Sequence, residues 1–436
     1  MKYDCSDIGV LGAGIMGCCL ALELSKRGYK IDLIDLAPRP MTSTSLNNEG
    51  KLHLGFVYAN DPVGETHKLM LRGSLAFSSI MERLTGRRAE NLGISRPFNY
   101  FLPVDSQMGM AAINKHFKEV EKEIKNVCSS SSNLYLDLKI DHYFEQNPPA
   151  DHKKLFASDL TLGSFRTEER SVSTIAVANI LCEAIDNDPN ISFFGSTKVL
   201  SANRLTSDDV EIELHCNGNT YKTIYPCVAN CLWDDKLRVD GTAGITDEGP
   251  WLLRYKATIN ISLKSPENIY VPSATGILGP YGDVVNHNGN SFYISWYPLC
   301  KLVQSMDEDG RNLYNFVHKR PLSNFVTLVK STYPSAARLL ASFTHKKFIK
   351  KNIYEMSAYI PSLTGLLKSK GKFILGGGVI LARGATDIDD PGSYLHQRSR
   401  VGPIAYGSYV TIDTGKYCTA PLFAIEAADM IGDILN

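Results

Sequence analysis

The chain has 436 residues, 44% of them hydrophobic, so it can bury a large core and form two domains or one carrying a large insertion. Lys plus Arg and Asp plus Glu number 46 each, so the formal charge is zero and no nucleic-acid partner is expected. The ten cysteines are scattered, which favours a reduced, cytoplasmic protein over a disulfide framework; Cys227 and Cys231 have no matching pair nearby, so no metal site is expected.

The first element reads as strand, turn, helix, strand. Ile8, Val10 and Leu11 form a short apolar strand, Leu20, Leu22 and Leu24 lie in a helix ending near Gly28, and "KIDLID" is a second strand finishing at Asp35. The apolar run through this segment is broken by glycines and carries Glu23, so neither a signal peptide nor a membrane span is expected. Gly12, Gly14 and Gly17 give G-x-G-x-x-G. The first glycine makes the tight turn, the second lets a diphosphate approach the backbone, and the third lets helix and strand pack closely. The segment Gly12, Ala13, Gly14, Ile15, Met16 and Gly17 is thus predicted to cradle a diphosphate at a helix N-terminus. Asp35 follows Gly12 by 23 residues, where an acid accepts hydrogen bonds from ribose hydroxyls. None of this separates NAD from FAD.

A simple NAD dehydrogenase would continue with regular βα units. Instead comes a polar loop, "LAPRPMTSTSLNNEGKLHLGF". Its Ser43, Thr44, Ser45, Asn47 and Asn48 can donate to phosphate or flavin oxygens, and Gly50 and Gly55 let the chain pass close to a flat ring.

This loop resembles that of the FAD-dependent oxidoreductases of the D-amino-acid oxidase type, which include glycine and sarcosine oxidases and the related 2-hydroxy-acid and glycerol-phosphate dehydrogenases. Members follow the fingerprint with a Ser-x-x-Asn-x-Gly-like loop along the cofactor, as "STSLNNEGKLHLGF" does here, and "KLHLGFVYAND" is most like the hydroxy-acid branch. The resemblance implies FAD, with Lys51 and Leu52 along it and His53 near the isoalloxazine ring. Later segments fall in family order. "GSFRTEERSVSTIAVANILCEAI" resembles the lead into a central helix, with Ile175, Ala178, Cys182 and Ile185 on one face. "ISFFGSTKVLSAN" resembles the adenine-side strand, with Val199 as a backbone contact. In "TIYPCVANCLWDD", Asn230 and Cys231 replace the usual small pair, and Asn230 and Trp233 are expected beside the cofactor. Gly384, at the loop tip after "FILGGGVILAR", is counted with these contacts. The turn Thr414, Gly415, Lys416 and Tyr417 is expected at the pyrimidine side of the flavin, although it departs from the Gly-His-Gly-like sequence of amino-acid oxidases. A last helix should start near Pro421 with Phe423, Ala427, Met430 and Ile434 on one face.

The expected fold is α/β: a Rossmann-like FAD-binding domain of the glutathione-reductase type with an inserted antiparallel-sheet substrate domain. The first would be discontinuous, over 1–80, 155–235 and 350–436, and the second would come from 81–154 and 236–349. "WLLRYKATINISL" and "NSFYISWYPL" read as its strands, "INKHFKEVEKEIKNV" as an amphipathic helix, and "SSSSN" at 129–133 as a loop.

The expected function is oxidation of a small amine, amino acid or 2-hydroxy acid by hydride transfer to flavin N5, with oxygen or another electron acceptor as the second partner. The alternatives are an NAD(P)-linked dehydrogenase and a catalytically inactive FAD-binding protein working in a complex. An alcohol donor needs a base, and His53 is the candidate. Lys416 and the Gly415–Lys416 backbone can stabilise negative charge on the reduced ring. Arg254 and Arg383 are candidates to clamp a substrate carboxylate, Tyr354 and Tyr359 to line the pocket, and Cys418 to attach the flavin covalently.

Overall fold

The computed structural model describes residues 6–130, 134–247, 249–265, 270–306, 345–393 and 397–436. The stretch 307–344 of the expected substrate domain, and 131–133 of the polar run, lie outside the described residues.

The N-terminal unit forms as the sequence predicts: strand Ile8–Leu11, helix Ile15–Lys26, strand Ile31–Ile34. The helix is buried from Ile15 to Ser25, as befits a helix apolar on all sides, and it packs against the C-terminal helix Ala420–Leu435. These strands belong to a six-stranded sheet ordered Gly402–Tyr406, Tyr409–Asp413, Cys227–Asn230, Ile8–Leu11, Ile31–Ile34, Ile191–Phe194. Neighbours run parallel except at the Gly402–Tyr406 edge. From Ile8–Leu11 the chain places its next strand on one side and Cys227–Asn230 on the other. That reversal opens a crevice at the carboxyl ends of the strands, the usual ligand position in such sheets.

Thr197–Arg204, Val210–Cys216 and Asn219–Tyr225 form a separate antiparallel meander. The third body is a nine-stranded sheet. Its spine, Trp251–Leu263, pairs antiparallel with Gly371–Arg383 along its whole length and with Ser291–Trp296 and Lys301–Met306 on its other edge. The sheet is mixed, because Ser273–Gly276 runs parallel to Phe98–Pro103. The strand Gly371–Arg383, expected with the cofactor-binding part, is thus a member of the large sheet. Its continuous apolar runs, Phe373–Leu375 and Val379–Ala382, fit either sheet, and only the long pairing with Trp251–Leu263 decides between them.

Helix faces differ slightly from expectation. Thr174–Asp186 begins at Ser173, whose hydroxyl accepts from the Ala176 N–H at 3.3 Å. It buries Val177, Ala178, Leu181 and Ile185, leaving Ile175 exposed. The C-terminal helix buries Phe423, Ala424, Ala427, Ala428 and Ile431, with Met430 and Ile434 at the margin. Met110–Ser130 buries Ile113, Phe117, Val120 and Ile124, one helical stripe, as predicted. No helix of the described residues is long and apolar enough to cross a membrane.

Candidate active site

The glycine fingerprint places backbone where side chains could not fit. Gly12 has φ +97°, and a Cβ there would lie 2.7 Å from the Cys231 carbonyl oxygen. A Cβ on Gly17 would lie 1.8 Å from the Gly12 carbonyl oxygen, so helix and strand meet through backbone alone. Gly14 caps the helix without a side-chain bond, and the Ile15 N–H donates to Ser45 Oγ at 2.9 Å. The helix N-terminus thus presents amide groups suited to an anion. Asp35 is fixed by the N–H groups of Ala13 (2.6 Å, to Oδ2) and Ala37 (2.7 Å, to Oδ1).

The polar loop is folded on itself. Asn48 Nδ2 donates to the carbonyls of Thr44 and Ser45 at 2.9 and 3.0 Å, and its Oδ1 accepts from the Gly50 N–H at 2.7 Å. Asn47 Nδ2 donates to the Ser43 carbonyl. The large sheet presses against this loop through a glycine run: a Cβ on Gly376 would lie 2.2 Å from Asn47 Oδ1, and one on Gly378 2.7 Å from Thr44 Oγ1. Lys51–Leu52 then pairs with Arg170–Ser171 as a two-stranded ladder, bringing His53 beside Glu169.

His53 is 4% exposed, and its Nδ1 lies 3.8 Å from Glu169 Oε1. Lys51 is buried; its ammonium donates to Asp283 Oδ1 at 2.9 Å and Thr275 Oγ1 at 2.5 Å and sits 4.1 Å above the Phe98 ring. Burial opposes the charge on Asp283, yet Lys51 and Lys256 beside it leave its carboxyl well below the usual range. Lys416 is half-buried; burial, then the neighbouring Arg398 guanidinium, push its ammonium down to about 8. Arg398 is buried and donates to the Gly415 carbonyl at 3.0 Å, so two cations from distant segments meet at this turn. Burial pushes the Asp413 carboxyl up, and Arg398 opposes that.

One cavity of about 390 Å³ joins these parts. At one end it is lined by Gly12, Gly14, Ile15, Met16 and Asp35; along its length by Ser43, Thr44, Ser45, Asn48 and Trp233; at the other end by Lys51, His53, Thr414, Gly415, Lys416 and Tyr417. Most sequence-predicted contacts therefore come together. Leu36, Glu49, Ile380 and Arg398 also line it and were not anticipated.

Other expected residues lie elsewhere. Ala13, Gly17, Asn47, Gly50 and Leu52 sit behind the wall, supporting it. Asn230 is turned into a buried network, donating to Asp240 Oδ1 and Tyr409 Oη. The Val199 carbonyl accepts from Arg238 at 2.6 Å rather than facing the cavity. Arg383 grips Asp247 with bonds of 2.8 and 2.7 Å and stacks 4.7 Å over Trp251. Arg383, expected as a clamp, ends a strand of the large sheet, and neither it nor Gly384, expected as a contact, lines this cavity. Arg254 is buried against Asp387 and Tyr297, each at 2.8 Å, and does not line it either. Tyr354 is 69% exposed, while Tyr359 packs on Phe101 and Trp296. The Cys418 thiol is buried 3.9 Å from Met70 Sδ, pushed up to about 11 by burial, and outside the lining.

The donor set fits a dinucleotide. The Tyr417 hydroxyl on the cavity wall is buried without a partner among the described residues, so a polar ligand atom would satisfy it.

Fold and cavity together define a protein of the dinucleotide-binding class. Residues 7–141 match the family model DAO, FAD dependent oxidoreductase, so the chain carries a DAO-type domain and its cofactor is FAD. The NAD(P) alternative is thereby set aside. By sequence, no curated protein matches. Solved structures share the fold at low identity. Glycine oxidase from Geobacillus kaustophilus is 10% identical with a TM-score of 0.66, covering 98% of this chain and 95% of its own. L-alpha-glycerophosphate oxidase from Mycoplasma pneumoniae, solved with FAD bound, is 15% identical with a TM-score of 0.62, covering 99% and 95%. L-proline dehydrogenase from P. horikoshii is 14% identical with a TM-score of 0.63, covering 98% and 94%.

Proposed function

We propose that the cavity holds FAD with its adenosine end at Asp35, its diphosphate over Gly12–Met16 and its ring beside His53, Lys416 and Tyr417, and that the protein oxidises a small CH–OH or CH–NH donor. The observation that carries this reading is the single cavity in which the helix N-terminus, the polar loop, a buried histidine and two cations meet. FAD, when bound, supplies an acceptor for a hydride from the donor carbon. The chain's own groups do the rest. The amides of the Ile15 turn and the helix dipole favour the diphosphate. Lys416 and Arg398 favour negative charge at the opposite end. His53 can take a hydroxyl proton from a CH–OH donor. Arg398 takes over the anion-binding role expected of Arg254 and Arg383, because it is the arginine on the cavity wall. The solved structures of similar fold carry names covering both donor classes, glycine and glycerophosphate oxidases among them.

The test is anaerobic bleaching of the purified yellow protein by a panel of 2-hydroxy acids, glycerol 3-phosphate and small amino acids. Bleaching by a panel member supports the reading. Bound FAD that none of them reduces returns the alternative of a catalytically inactive FAD-binding protein.

A further inference from the structure

Glu169 immediately precedes the strand Arg170–Ser171 of the short ladder that holds the His53 segment, and it is fully buried. Three groups of this chain donate to it. Tyr100 Oη donates to Oε1 in a short bond, the Leu54 N–H donates to Oε2 at 2.6 Å, and the Gly55 N–H also points at the carboxylate. The same Oε1 lies 3.8 Å from His53 Nδ1. That is an ion-pair distance rather than a hydrogen bond. Because His53 reaches the cavity wall while its Nδ1 faces Glu169, the opposite edge of the ring, with Nε2, is the edge left for the cavity.

We infer that Glu169 is the positioning residue of His53: its carboxylate, 3.8 Å from Nδ1, favours the proton of the neutral imidazole on that nitrogen by its charge, so that Nε2 faces the cavity as a proton acceptor. The inference rests on the proposed function and deepens it toward the CH–OH class. An alcohol donor must lose its hydroxyl proton as the hydride leaves, whereas an amine can lose its proton to solvent beforehand. A buried carboxylate behind a histidine is the arrangement that fixes the tautomer and steadies the imidazolium formed when the proton arrives. In the balanced step, the donor O–H bond breaks and its proton passes to His53 Nε2, the C–H bond breaks as the C=O bond forms, and bound FAD would supply the acceptor for the departing hydride.

Burial alone raises the Glu169 carboxyl, and Lys51, Tyr100 and the two backbone donors act against that. The other titratable groups facing it are Tyr58, whose ring lies 5.4 Å from that of His53, together with Tyr135 and Cys418. All three stay neutral near pH 7, since burial raises each of them. Lys51 is therefore the one formal cation of this set, and Asp283 already engages it. The three donors and Lys51 favour the carboxylate form of Glu169 next to the imidazole.

The experiment is imidazole ¹⁵N NMR on the FAD-loaded protein, with the His53 signals assigned by their loss in His53→Asn. The expected result is an Nδ1–H tautomer for neutral His53. In Glu169→Gln the midpoint of its titration moves to lower pH, since an adjacent anion is gone. In Tyr100→Phe it moves to higher pH, since the carboxylate loses a donor and becomes more basic. An Nε2–H tautomer, or midpoints that do not move in opposite directions, overturns the inference. Neither readout needs a substrate, so a panel that fails to bleach the flavin defeats the functional reading and leaves this one standing or falling by itself. Where a panel member does bleach it, Glu169→Gln should retain FAD and slow CH–OH donors roughly 10- to 100-fold while sparing CH–NH donors. Equal slowing of both classes is the mark of a structural role and also overturns it.

Discussion

Replacing Gly17 by Ala is a severe test of how the diphosphate cradle is built. The new Cβ would lie 1.8 Å from the Gly12 carbonyl oxygen, where real Cβ atoms keep at least 3.0 Å from a neighbour. The helix or the Gly12 turn must then move by roughly 1.2 Å. Both are fully packed, and the helix is also packed against Ala420–Leu435. Overpacking of this kind costs about 1–3 kcal/mol, or roughly 1–3 °C in melting temperature for a chain of 436 residues. A shift of this size at the helix N-terminus also breaks amide contacts to the diphosphate. The expected outcome is FAD bound at least about tenfold more weakly, which corresponds to ~1.4 kcal/mol. The assay is reconstitution of apoprotein followed by flavin fluorescence, with the melting temperature of the apoprotein measured separately. Gly14→Ala should be milder, because its Cβ meets only Ser45 Oγ, at 2.9 Å. Gly241→Ala is the control: its Cβ meets nothing within 4 Å and it sits in the helix Lys236–Thr242, where Ala is favoured. If Gly17→Ala binds FAD as tightly as the wild type, or Gly14→Ala is the worse of the two, the close-packing argument fails.

Arg383→Gln should leave turnover unchanged and cost about 1 kcal/mol, as for a half-buried surface ion pair; a large rise in KM would restore it as a substrate clamp. Tyr417→Phe should weaken FAD binding about threefold to tenfold without lowering the melting temperature of the apoprotein, because its hydroxyl has no hydrogen-bond partner among the described residues to lose; a destabilised apoprotein with unchanged FAD affinity would contradict this. Lys416, pushed down to about 8 from its usual 10.5, makes the folded state bind fewer protons than the unfolded state between those values. Stability should therefore rise with pH through that window relative to Lys416→Met. Urea midpoints of the two proteins near pH 8 and pH 10 check this, and a difference that does not change with pH rejects it.

The legible parts of this molecule are those whose physics is local. The cradle is a backbone problem solved within a few residues, so Gly12, Gly14 and Gly17 announce it, and Asp35 follows because strand and helix lengths are fixed. The loop from Ser43 to His53 reads nearly as well, since its polar side chains and glycines serve one continuous surface. The helix faces were off by one position at Ile175, where an apolar residue sits outside the buried stripe. Asn230 was misread for a different reason. It occupies the expected strand end beside the cavity, but a buried amide needs partners, and Asp240 and Tyr409, brought from later segments, supply them.

The substrate end shows why the remainder was hidden. Arginine is the residue type suited to an anion, and Arg254 within one apolar strand and Arg383 at the end of another read as well placed. Both strands turned out to pair with each other, Trp251–Leu263 against Gly371–Arg383, and that pairing puts Arg383 next to Asp247 and Arg254 next to Asp387. A guanidinium already holding a carboxylate has little left for a substrate. Arg398 has no periodic or motif context at all, and it reaches the wall only because its segment folds against the Gly415 turn. Glu169 is equally silent in "TEERSV", where it reads as one of several surface charges. Only the two-stranded ladder with Lys51–Leu52 turns it inward, under His53. The run Gly376 to Gly378 is the face on which the large sheet touches the cofactor loop. Side chains there would hold the two bodies apart and open the cavity between Thr44 and Ile380. The chemistry of the far end is thus assembled by long-range pairing between sheets, which no single segment encodes.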